Sequence, residues 1–477
     1  MFFNSIDFAI FLPIVFVLYW FVTKNNLKFQ NLLIVLMSYV FYGWWDWRFL
    51  SLIIFSTVID YLVGRRLKTE ENHFKRKILL WTSIIINLGF LGFFKYYNFF
   101  LDNFQSAFSF LGYGISSSSL NIVLPIGISF YTFQTLSYSI DVYRRKLEPT
   151  KDFIAFSAFV CFFPQLVAGP IEKASNLLPQ FYKRRKFNYT LAVDGVKQMV
   201  WGFFMKIVIA DNCAAYANQI FDDYESYNAA SLFIGALMFT FQIYGDFAGY
   251  SNIAIGVSRL FGFNLKQNFA FPYFSRDIAE FWRRWHISLS TWFRDYLYIP
   301  LGGSRVSNAK KIRNTFIIFV VSGFWHGANW TFAIWGLLNA IYFLPLLLLK
   351  KNRVHLGVIG DSRFPRLNEI LGMVTTFLLT ILAWVFFRSE NITEAFGFLG
   401  NIVTLHSGKS INVSMVVILV IIAFVLIEWF GRRSKFAIQN SFKNYPIIDR
   451  VFTYIIIISI FMFGQFNSEY EFIYFQF

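Results

Sequence analysis

The chain has 477 residues, of which 56% are hydrophobic, 22% aromatic and only 15% charged. Soluble domains carry about 45–50% apolar and about 25% charged residues, so this composition excludes an ordinary soluble protein and indicates extensive contact with lipid. The net charge of +16 comes from short Lys/Arg clusters between apolar runs. Such clusters are typical of cytoplasmic loops that face anionic lipid, and they argue against nucleic acid as a partner.

Apolar runs long enough to cross a bilayer, which needs about 20 residues, recur along the chain. The first run has neither a basic region before it nor a small-residue cleavage site after it, so it is predicted as a retained helix and not as a signal peptide. The sequence predicts ten spanning helices, at residues 6–23, 30–45, 49–64, 78–97, 122–142, 191–210, 231–257, 368–387, 413–431 and 451–466.

The charges of the connecting segments orient these helices. Segments 24–28 and 65–77 are basic, and basic residues also follow the fifth predicted helix, whereas segments 45–48 and 96–114 carry at most one basic residue each. Basic loops stay on the cytoplasmic side of a membrane. The sequence therefore predicts a multi-pass protein of the inner membrane whose N-terminus and C-terminus are both extracytoplasmic.

Two apolar segments do not fit as simple spans. Phe153–Ile171 is interrupted by two prolines and a glycine and has basic flanks on both sides, which predicts a re-entrant or interfacial segment. Thr315–Leu349 is too long for one span and is also flanked by basic residues, which predicts a helical hairpin that turns within residues 322–329. Irregular backbone at membrane depth is tolerated only where protein or a water-filled cavity surrounds it.

The segment Arg259–Arg313 is rich in Arg, Trp and Phe but lacks an apolar run of spanning length. This composition predicts a helix that lies at the cytoplasmic interface. The fold class is therefore all-α, a polytopic transmembrane bundle of about ten spanning helices with re-entrant and interfacial helices. Within a single transmembrane domain, residues 1–150 are predicted as N-terminal helices, 151–355 as the core that holds the irregular segments, and 356–477 as C-terminal helices.

Among the five histidines, His73, His355 and His406 lie in predicted loops, where a solvated surface role is expected. His326 lies in the glycine-flanked break of the predicted hairpin. Ionisable groups within a membrane usually line a pathway or a reactive cavity, and a neutral imidazole can take a proton from a hydroxyl nucleophile. The alternative is a buried histidine that hydrogen-bonds a neighbouring helix.

His286 lies 40 residues upstream, among arginines and tryptophans. It is either a contact to lipid headgroups or the partner of His326 in a catalytic pair. Metal-ligand spacings of His, Cys or carboxylates do not occur near either histidine, and the two cysteines, Cys161 and Cys213, form neither a metal motif nor a disulfide framework. No metal site is predicted.

Other polar residues fall within or beside the apolar runs. Asp246 lies inside a predicted span and is expected to have a structural or cavity-lining role, whereas Lys206 is near a membrane end, where snorkelling accounts for it. Ser322 and Asn329 either position a donor carbonyl or form hydrogen bonds between helices. The chain has no complete G-x-x-x-x-G-K-S/T phosphate loop and no dinucleotide fingerprint, which argues against an ATP-driven pump.

Two long aromatic motifs, FWRRWHISLSTWFRDYLYIPLGG at 281–303 and SGFWHGANW at 322–330, closely resemble the bacterial branch of the membrane-bound O-acyltransferases. That branch includes alginate and peptidoglycan O-acetyltransferases and the D-alanyl transfer proteins of teichoic acids. Residues 3–8, 164–171, 242–256 and 472–477 also resemble the alginate and peptidoglycan subgroup, so the resemblance runs from end to end.

The resemblance implies a ring of tilted helices around a thin core, in which a funnel from each membrane face meets a central histidine. His326 matches that histidine and His286 matches its partner. It also implies that the chain accepts an acetyl group on the cytoplasmic side from acetyl-CoA, with no bound cofactor. A separate extracytoplasmic transferase with a Ser-His-Asp site would then place the group on a cell-surface polysaccharide such as alginate or peptidoglycan.

In that arrangement the basic segment, including Arg283 and Arg284, would attract the donor phosphates, and Asp246, Ser322 and Asn329 would line the donor cavity. One alternative is a D-alanyl or other acyl group handed over by a carrier protein. Another is a polysaccharide exporter, which requires a large polar cavity and several intramembrane carboxylates. Most acidic residues of this chain lie in predicted loops, which disfavours the exporter.

Overall fold

A computed structural model describes residues 1–23, 26–112, 119–167, 169–357, 364–442, 444–466 and 472–473. Parts of the predicted segments 24–28 and 96–114, and of the family-like ending 472–477, lie outside these ranges. Across the described residues the regular structure is helical, with one isolated β-bridge between Tyr227 and Lys409, which confirms the predicted all-α class. The chain forms two compact units, Met1–Ala192 with Ser258–Leu265, and Val193–Val257 with Lys266–Phe477.

Several helices of the first unit begin at polar caps. The side-chain oxygens of Ser5, Asn26 and Asn72 accept backbone N–H groups that the first turns of the helices starting at Ile6, Leu27 and His73 leave without an intrahelical partner. The bounds of these helices are α1 Ile6–Val17, α2 Leu27–Asp46, α3 Leu50–Thr69, α4 His73–Leu91, α5 Tyr97–Phe110, α6 Ile128–Tyr143, α7 Phe153–Cys161, α8 Phe163–Leu166 and α9 Ala174–Leu177. The fifth predicted span starts later than expected, at Ile128, after the left-handed Gly127.

The predicted interruption of Phe153–Ile171 is present. Helix α7 ends at Cys161, Phe162 leaves the helical conformation, and α8 begins with Pro164 in its first turn. Proline is tolerated there because its missing N–H has no intrahelical acceptor. Phe156, Phe159 and Phe163 are fully buried, so this broken segment lies in the core of the first unit.

The second unit contains the longest helix and the predicted hairpin. Its helices are α10 Tyr189–Phe203, which starts in the last residues of the first unit, α11 Asp211–Phe221, α12 Ala229–Leu260, α13 Ile278–Arg284, α14 Ile287–Phe293, α15 Asn308–His326, α16 Trp330–Leu348, α17 Leu367–Arg388, α18 Ile392–Val403, α19 Met415–Gly431 and α20 Pro446–Phe463. A π-helical stretch, Phe204–Ala210, joins α10 to α11.

Of the described residues, six helical stretches are long and apolar enough to cross a membrane: Leu27–Thr69, His73–Phe110, Ala229–Leu260, Trp330–Leu348, Leu367–Arg388 and Pro446–Phe463. Shorter apolar helices accompany them, including Ile6–Val22 and Met415–Gly431. The chain is thus a multi-pass membrane protein. The count of ten spans, the orientation of the termini and the three-part division of the domain stay predictions.

The predicted hairpin is confirmed. Helix α15 ends at His326, residues 327–329 break the helix, and α16 begins at Trp330. The two helices approach closely at glycines: a Cβ at Gly323 would clash with the carbonyl oxygen of Phe332, and one at Gly336 would clash with that of Phe319. Glycine allows this close backbone approach because it has no side chain.

The segment predicted as one interfacial helix is different. Two short helices, α13 and α14, are separated at Trp285 and His286, and His286 has a left-handed backbone with φ 42°. The N–H of Ile287 donates to the carbonyl of Asn268, outside the helix, so the helical hydrogen-bond ladder is interrupted. Trp285 is fully buried, because this segment packs into the protein interior.

Candidate active site

Two histidine side chains meet inside the second unit. His326 is the last residue of α15, and His286 directly precedes α14. Their ring centroids are 6.5 Å apart, and the residues are 3% and 1% exposed, respectively. The structure therefore brings the two predicted catalytic side chains together. The alternative of a headgroup contact for His286 is wrong, because a residue so deeply buried cannot reach the membrane surface.

Aromatic rings surround His326. Its ring lies edge-to-face against Trp335, with centroids 5.1 Å apart, and close to Phe387 and Trp325, at 5.4 and 4.9 Å. Trp335 in turn stacks on Trp384 at 5.6 Å. Helices α15, α16 and α17 each contribute to this enclosure, and their packing restricts the rotamers open to His326.

Polar contacts hold His286. Its Nδ1 lies 3.1 Å from Oδ1 of Asn268, and its ring lies edge-to-face on Phe247 at 4.6 Å. Its Nε2 has no hydrogen-bond partner among the described residues. Burial lowers the pKa of His286 from its ordinary value to about 3, because an apolar surrounding disfavours the charged form. His286 is therefore neutral at physiological pH.

A basic cavity of about 570 Å³ opens beside this site. Its lining includes Ile287, the residue that follows His286, but not the two histidines themselves. A second cavity of about 450 Å³ shares Ser290, Arg294, Phe343, Asn352 and Arg353 with the first and adds Lys311 and Lys350. Clustered Arg and Lys side chains in a concave site attract phosphate groups.

Arg283 and Arg284 line the first cavity, and their predicted contact with a donor stays a prediction. Arg283 donates to the backbone carbonyls of Asn352 and His355, at 2.9 and 2.8 Å. Arg284 is ion-paired with Glu280 at 2.8 Å and donates to the carbonyl of Gly357. Both guanidinium groups thus attach the segment after α16 to α13.

Arg294 and Arg353 are more accessible. The side chain of Arg294 is 60% exposed and is paired with Asp295, and Arg353 is exposed. These two residues line both cavities, so they are better placed than Arg283 and Arg284 to contact a bound anion.

Glu280 is the centre of an ion-pair cluster on α13, the helix that ends just before His286. Its carboxylate lies 3.0 Å from Arg276 and 2.8 Å from Arg284. Burial raises the pKa of Glu280, but the hydrogen bonds and charges of the two arginines outweigh burial, so the pKa lies below its ordinary value. This cluster orients α13.

Asp246 belongs to a separate buried network. Its carboxylate is 2.8 Å from Nζ of Lys206, which also pairs with Asp211 at 2.8 Å, and it accepts the backbone N–H of Ile473 at 2.7 Å. These contacts fit the structural role expected for Asp246. The expectation that Lys206 snorkels is wrong, since the residue is 4% exposed and its ammonium is neutralised inside the protein.

Ser322 lies in the last turns of α15 before the hairpin break, and Asn329 is the residue that caps α16 after it. Asn329 accepts the N–H of Thr331, which caps α16, and donates to the carbonyl of Glu390 at 2.6 Å. This bond joins the hairpin break to the segment between α17 and α18, and the two expected roles of Asn329 stay predictions. Ser322 is buried on α15, one turn before His326.

The other three histidines lie away from the pair. His73 is exposed, as expected for a solvated side chain, whereas His355 and His406 are half-buried. His355 lines the first cavity and lies 3.9 Å from Asp277. Nε2 of His406 lies 3.1 Å from the carbonyl oxygen of Glu225.

Sequence reasoning missed several residues around the pair. Asn268 contacts His286, yet it lies in an irregular segment without a recognisable motif. Glu428 accepts the hydroxyl of Tyr244, at 2.9 and 3.0 Å, and Tyr244 packs on Trp285 at 6.0 Å. Glu428 had a detectable signal, because a carboxylate within the apolar run of α19 is itself an indication of function.

Comparisons with known proteins show which family the chain resembles. The model of the MBOAT, membrane-bound O-acyltransferase family, matches residues 147–355, which include both histidines. The chain is 40% identical over 82% of its length to a probable alginate O-acetylase AlgI of Pseudomonas aeruginosa, covering 72% of that protein. It is 38% identical over 83% of its length to a peptidoglycan O-acetyltransferase of Helicobacter pylori, covering 78% of it. A teichoic acid D-alanyltransferase of Streptococcus thermophilus is 30% identical over 55% of this chain and 68% of its own.

Proposed function

Because the chain belongs to the membrane-bound O-acyltransferase family, we propose that it takes an acetyl group from acetyl-CoA in the cytoplasm and passes it across the inner membrane. The group then serves to O-acetylate a cell-surface polysaccharide. The observation that carries this proposal is the pair of buried histidines, 6.5 Å apart at the break of a helical hairpin, beside a cavity rich in arginine.

The chemistry is assigned to His326. The oxygen of an acceptor hydroxyl attacks the thioester carbonyl carbon, the new C–O bond forms, and the C–S bond breaks. A neutral imidazole at residue 326 receives the hydroxyl proton and returns it to the leaving thiolate, which departs as the free thiol. We place His286 beside the same reacting group, because its ring is 6.5 Å from that of His326.

The donor side is assigned to the basic cavities. Acetyl-CoA is too large and too charged to cross a bilayer, whereas an acetyl group needs only a narrow path. Arg294, Arg353 and Lys311, which line the cavities, would hold the phosphates while the thioester reaches toward the histidines. Ser322 and Asn329 would flank that path as helix-packing residues.

The acceptor side requires a second protein. We assign the final transfer to polymer hydroxyls to a separate extracytoplasmic transferase with a Ser-His-Asp site. Alginate and peptidoglycan are the acceptor polymers favoured for this chain, because the relatives that cover more than four-fifths of it are named for their acetylation.

The test uses membrane vesicles that contain the chain and radiolabelled acetyl-CoA. Transfer of label to an acceptor in membranes with the wild-type chain, and its loss with His326→Ala, supports the proposal. Equal transfer by both membranes contradicts it.

A second candidate is transfer of a D-alanyl group from a carrier protein, which the similarity to a teichoic acid D-alanyltransferase favours. Acyl analysis of surface polymers in a deletion strain separates the two. Loss of acetyl esters supports the first candidate and loss of D-alanyl esters the second. Loss of the polymer itself would instead indicate an exporter.

A further inference from the structure

We infer that Asn268 is a positioning residue that fixes the tautomer and the orientation of His286, so that the Nε2 lone pair of His286 points away from Asn268 toward the reaction site. This inference rests on the proposed function of His286. It concerns a residue that lies outside both family-like motifs and that is fully buried.

The hydrogen bonds of Asn268 define which side-chain atom faces His286. Oδ1 accepts from the backbone N–H of Ser288 at 3.3 Å and from its hydroxyl at 2.9 Å, and Nδ2 donates to the hydroxyl of Ser251 at 3.1 Å. The opposite amide orientation would set an NH₂ group against the backbone N–H of Ser288, two donors facing each other. The atom 3.1 Å from Nδ1 of His286 is therefore an acceptor.

This assignment determines the tautomer of His286. Because Oδ1 of Asn268 accepts only, Nδ1 of His286 must carry the hydrogen, and a neutral imidazole then has its lone pair on Nε2. Nε2 has no hydrogen-bond partner among the described residues, so it remains available for a substrate proton or hydroxyl.

Asn268 also holds the backbone of the turn that carries His286. Its carbonyl accepts the N–H of Ile287 at 2.9 Å, and His286 has the left-handed backbone that side chains rarely adopt. Such a conformation persists only where surrounding contacts impose it. One residue thus fixes both the backbone and the ring of His286.

Asn268 forms the hydrogen bond to the His286 ring, and the other ring neighbours of His286 are mostly apolar. Phe247 lies edge-to-face on the imidazole and Phe269 is stacked against it, and His326 is the titratable group whose ring lies nearby. Charges on the neighbouring elements are already paired: Asp246 of α12 with Lys206, and Glu280 of α13 with Arg284.

The experiment replaces the neutral acceptor with a charged one. In Asn268→Asp, the carboxylate accepts from Nδ1 and stabilises the imidazolium, so the pKa of His286 rises and Nε2 becomes protonated in acid. We expect the acidic limb of the pH dependence of kcat to shift to higher pH by about one unit or more, while the KM for the donor changes little. Ser288→Ala, which removes another donor to the same oxygen, is the matched control and should not move the profile.

Asn268→Ala is the second arm, because it removes the acceptor without adding a charge. We expect kcat to fall by about tenfold or more at an unchanged donor KM and an unchanged melting temperature. A wild-type kcat in this variant, or an unmoved pH profile in a folded Asn268→Asp variant, overturns the inference.

Two further variants separate this inference from the proposed function. The double variant Asn268→Asp/His286→Gln should not show the shift in the acidic limb of the pH dependence of kcat, because the imidazole of His286 is absent. A shift that persists in the double variant contradicts the role of Asn268. Full activity of His286→Ala contradicts instead the proposed function of His286.

Discussion

The side chain of His326 is confined by rings from three helices, Trp325 on its own helix, Trp335 on α16 and Phe387 on α17. An imidazole in this position can exchange a proton with a substrate but has little freedom to turn away from it. We therefore expect the role of His326 to depend on the imidazole itself and not on the bulk of the side chain.

We expect His326→Ala to lower the rate of acetyl transfer by about 10²–10⁴-fold, the contribution typical of a positioned general base. The rate is measured in membrane vesicles with labelled acetyl-CoA, at matched amounts of inserted protein. His73→Ala is the control, because His73 is exposed at the start of α4 and should not affect the rate. A His326→Ala rate within twofold of wild type would remove His326 from the mechanism.

Glu280 leads to a prediction about stability and pH. Glu280→Gln leaves the nearly buried guanidinium groups of Arg276 and Arg284 without their shared carboxylate, which should cost about 3 kcal/mol in the free energy of unfolding. The pKa of Glu280 is below its ordinary value of 4.5 in the folded protein. The difference in the free energy of unfolding between wild type and Glu280→Gln is therefore complete above about pH 4.5, and it is lost as the pH falls through the folded-state pKa.

Melting temperatures of wild type and Glu280→Gln in detergent, followed from neutral to acid pH, check this sign. The two curves should converge below the ordinary glutamate pKa. Glu71→Gln is the control, because Glu71 is 80% exposed in its pair with Arg145 and such pairs contribute little. If the difference in melting temperature between wild type and Glu280→Gln widens in acid, the lowered pKa assigned to Glu280 is contradicted.

At the residue scale, sequence reasoning singled out some of the ionisable groups that interrupt an apolar pattern and missed others, such as Glu428 within the apolar run of α19. His326 became a candidate because it lies in the break of an apolar hairpin, whereas the residues around His286 left its role open and the family resemblance favoured it as the partner of His326. Asn268 was missed, since an asparagine in an irregular segment is common and its contact with His286 depends on tertiary structure. The burial of Lys206 depends on Asp211 and Asp246, which no spacing rule connects.

At the scale of elements, the hairpin of α15 and α16 holds His326 in place. The two helices touch through backbone at Gly323 and Gly336, so any added side chain must push them apart. A displacement there would be transmitted to His326, which lies one turn beyond Gly323.

We therefore expect Gly336→Ala to lower the melting temperature and to reduce acetyl transfer, because its Cβ would clash with the carbonyl of Phe319. Overpacking of this kind costs about 1–3 kcal/mol. Gly89→Ala is the matched control: the same change in helix α4, where a Cβ would meet no described atom within 4 Å, should be neutral or stabilising. Gly336→Ala with wild-type stability and rate would show that the close approach is dispensable.

The hairpin was predictable because its length and its basic flanks allow few other topologies. The break between α13 and α14 was not, because it results from hydrogen bonds to Asn268, 18 and 20 residues away along the chain. Local composition predicted one amphipathic helix, and a tertiary contact interrupted it at His286. The element-scale misses thus coincide with the candidate active site, where backbone strain and functional geometry are concentrated.

At the scale of the whole molecule, the charge of +16 raises the question of whether the donor is attracted by the total charge or by the cavities alone. Exposed charges more than a Debye length apart, about 8 Å at physiological salt, are largely screened from one another. Only the cations that line a cavity should therefore affect binding at physiological ionic strength. Arg353 is suited to a test, because it lines both cavities and is exposed.

We expect Arg353→Glu to raise the KM for acetyl-CoA by about tenfold, which corresponds to about 1.4 kcal/mol. The kcat should change little, because Arg353 lines the cavities and does not surround the two histidines. Lys75→Glu makes the same change in net charge at an exposed residue of α4 and should leave KM unchanged. The dependence of KM on salt should be weaker in Arg353→Glu than in Lys75→Glu, since the variant with the altered cavity has lost a local attraction that salt can screen. If both variants raise KM equally, the total charge attracts the donor and the cavities have no specific role.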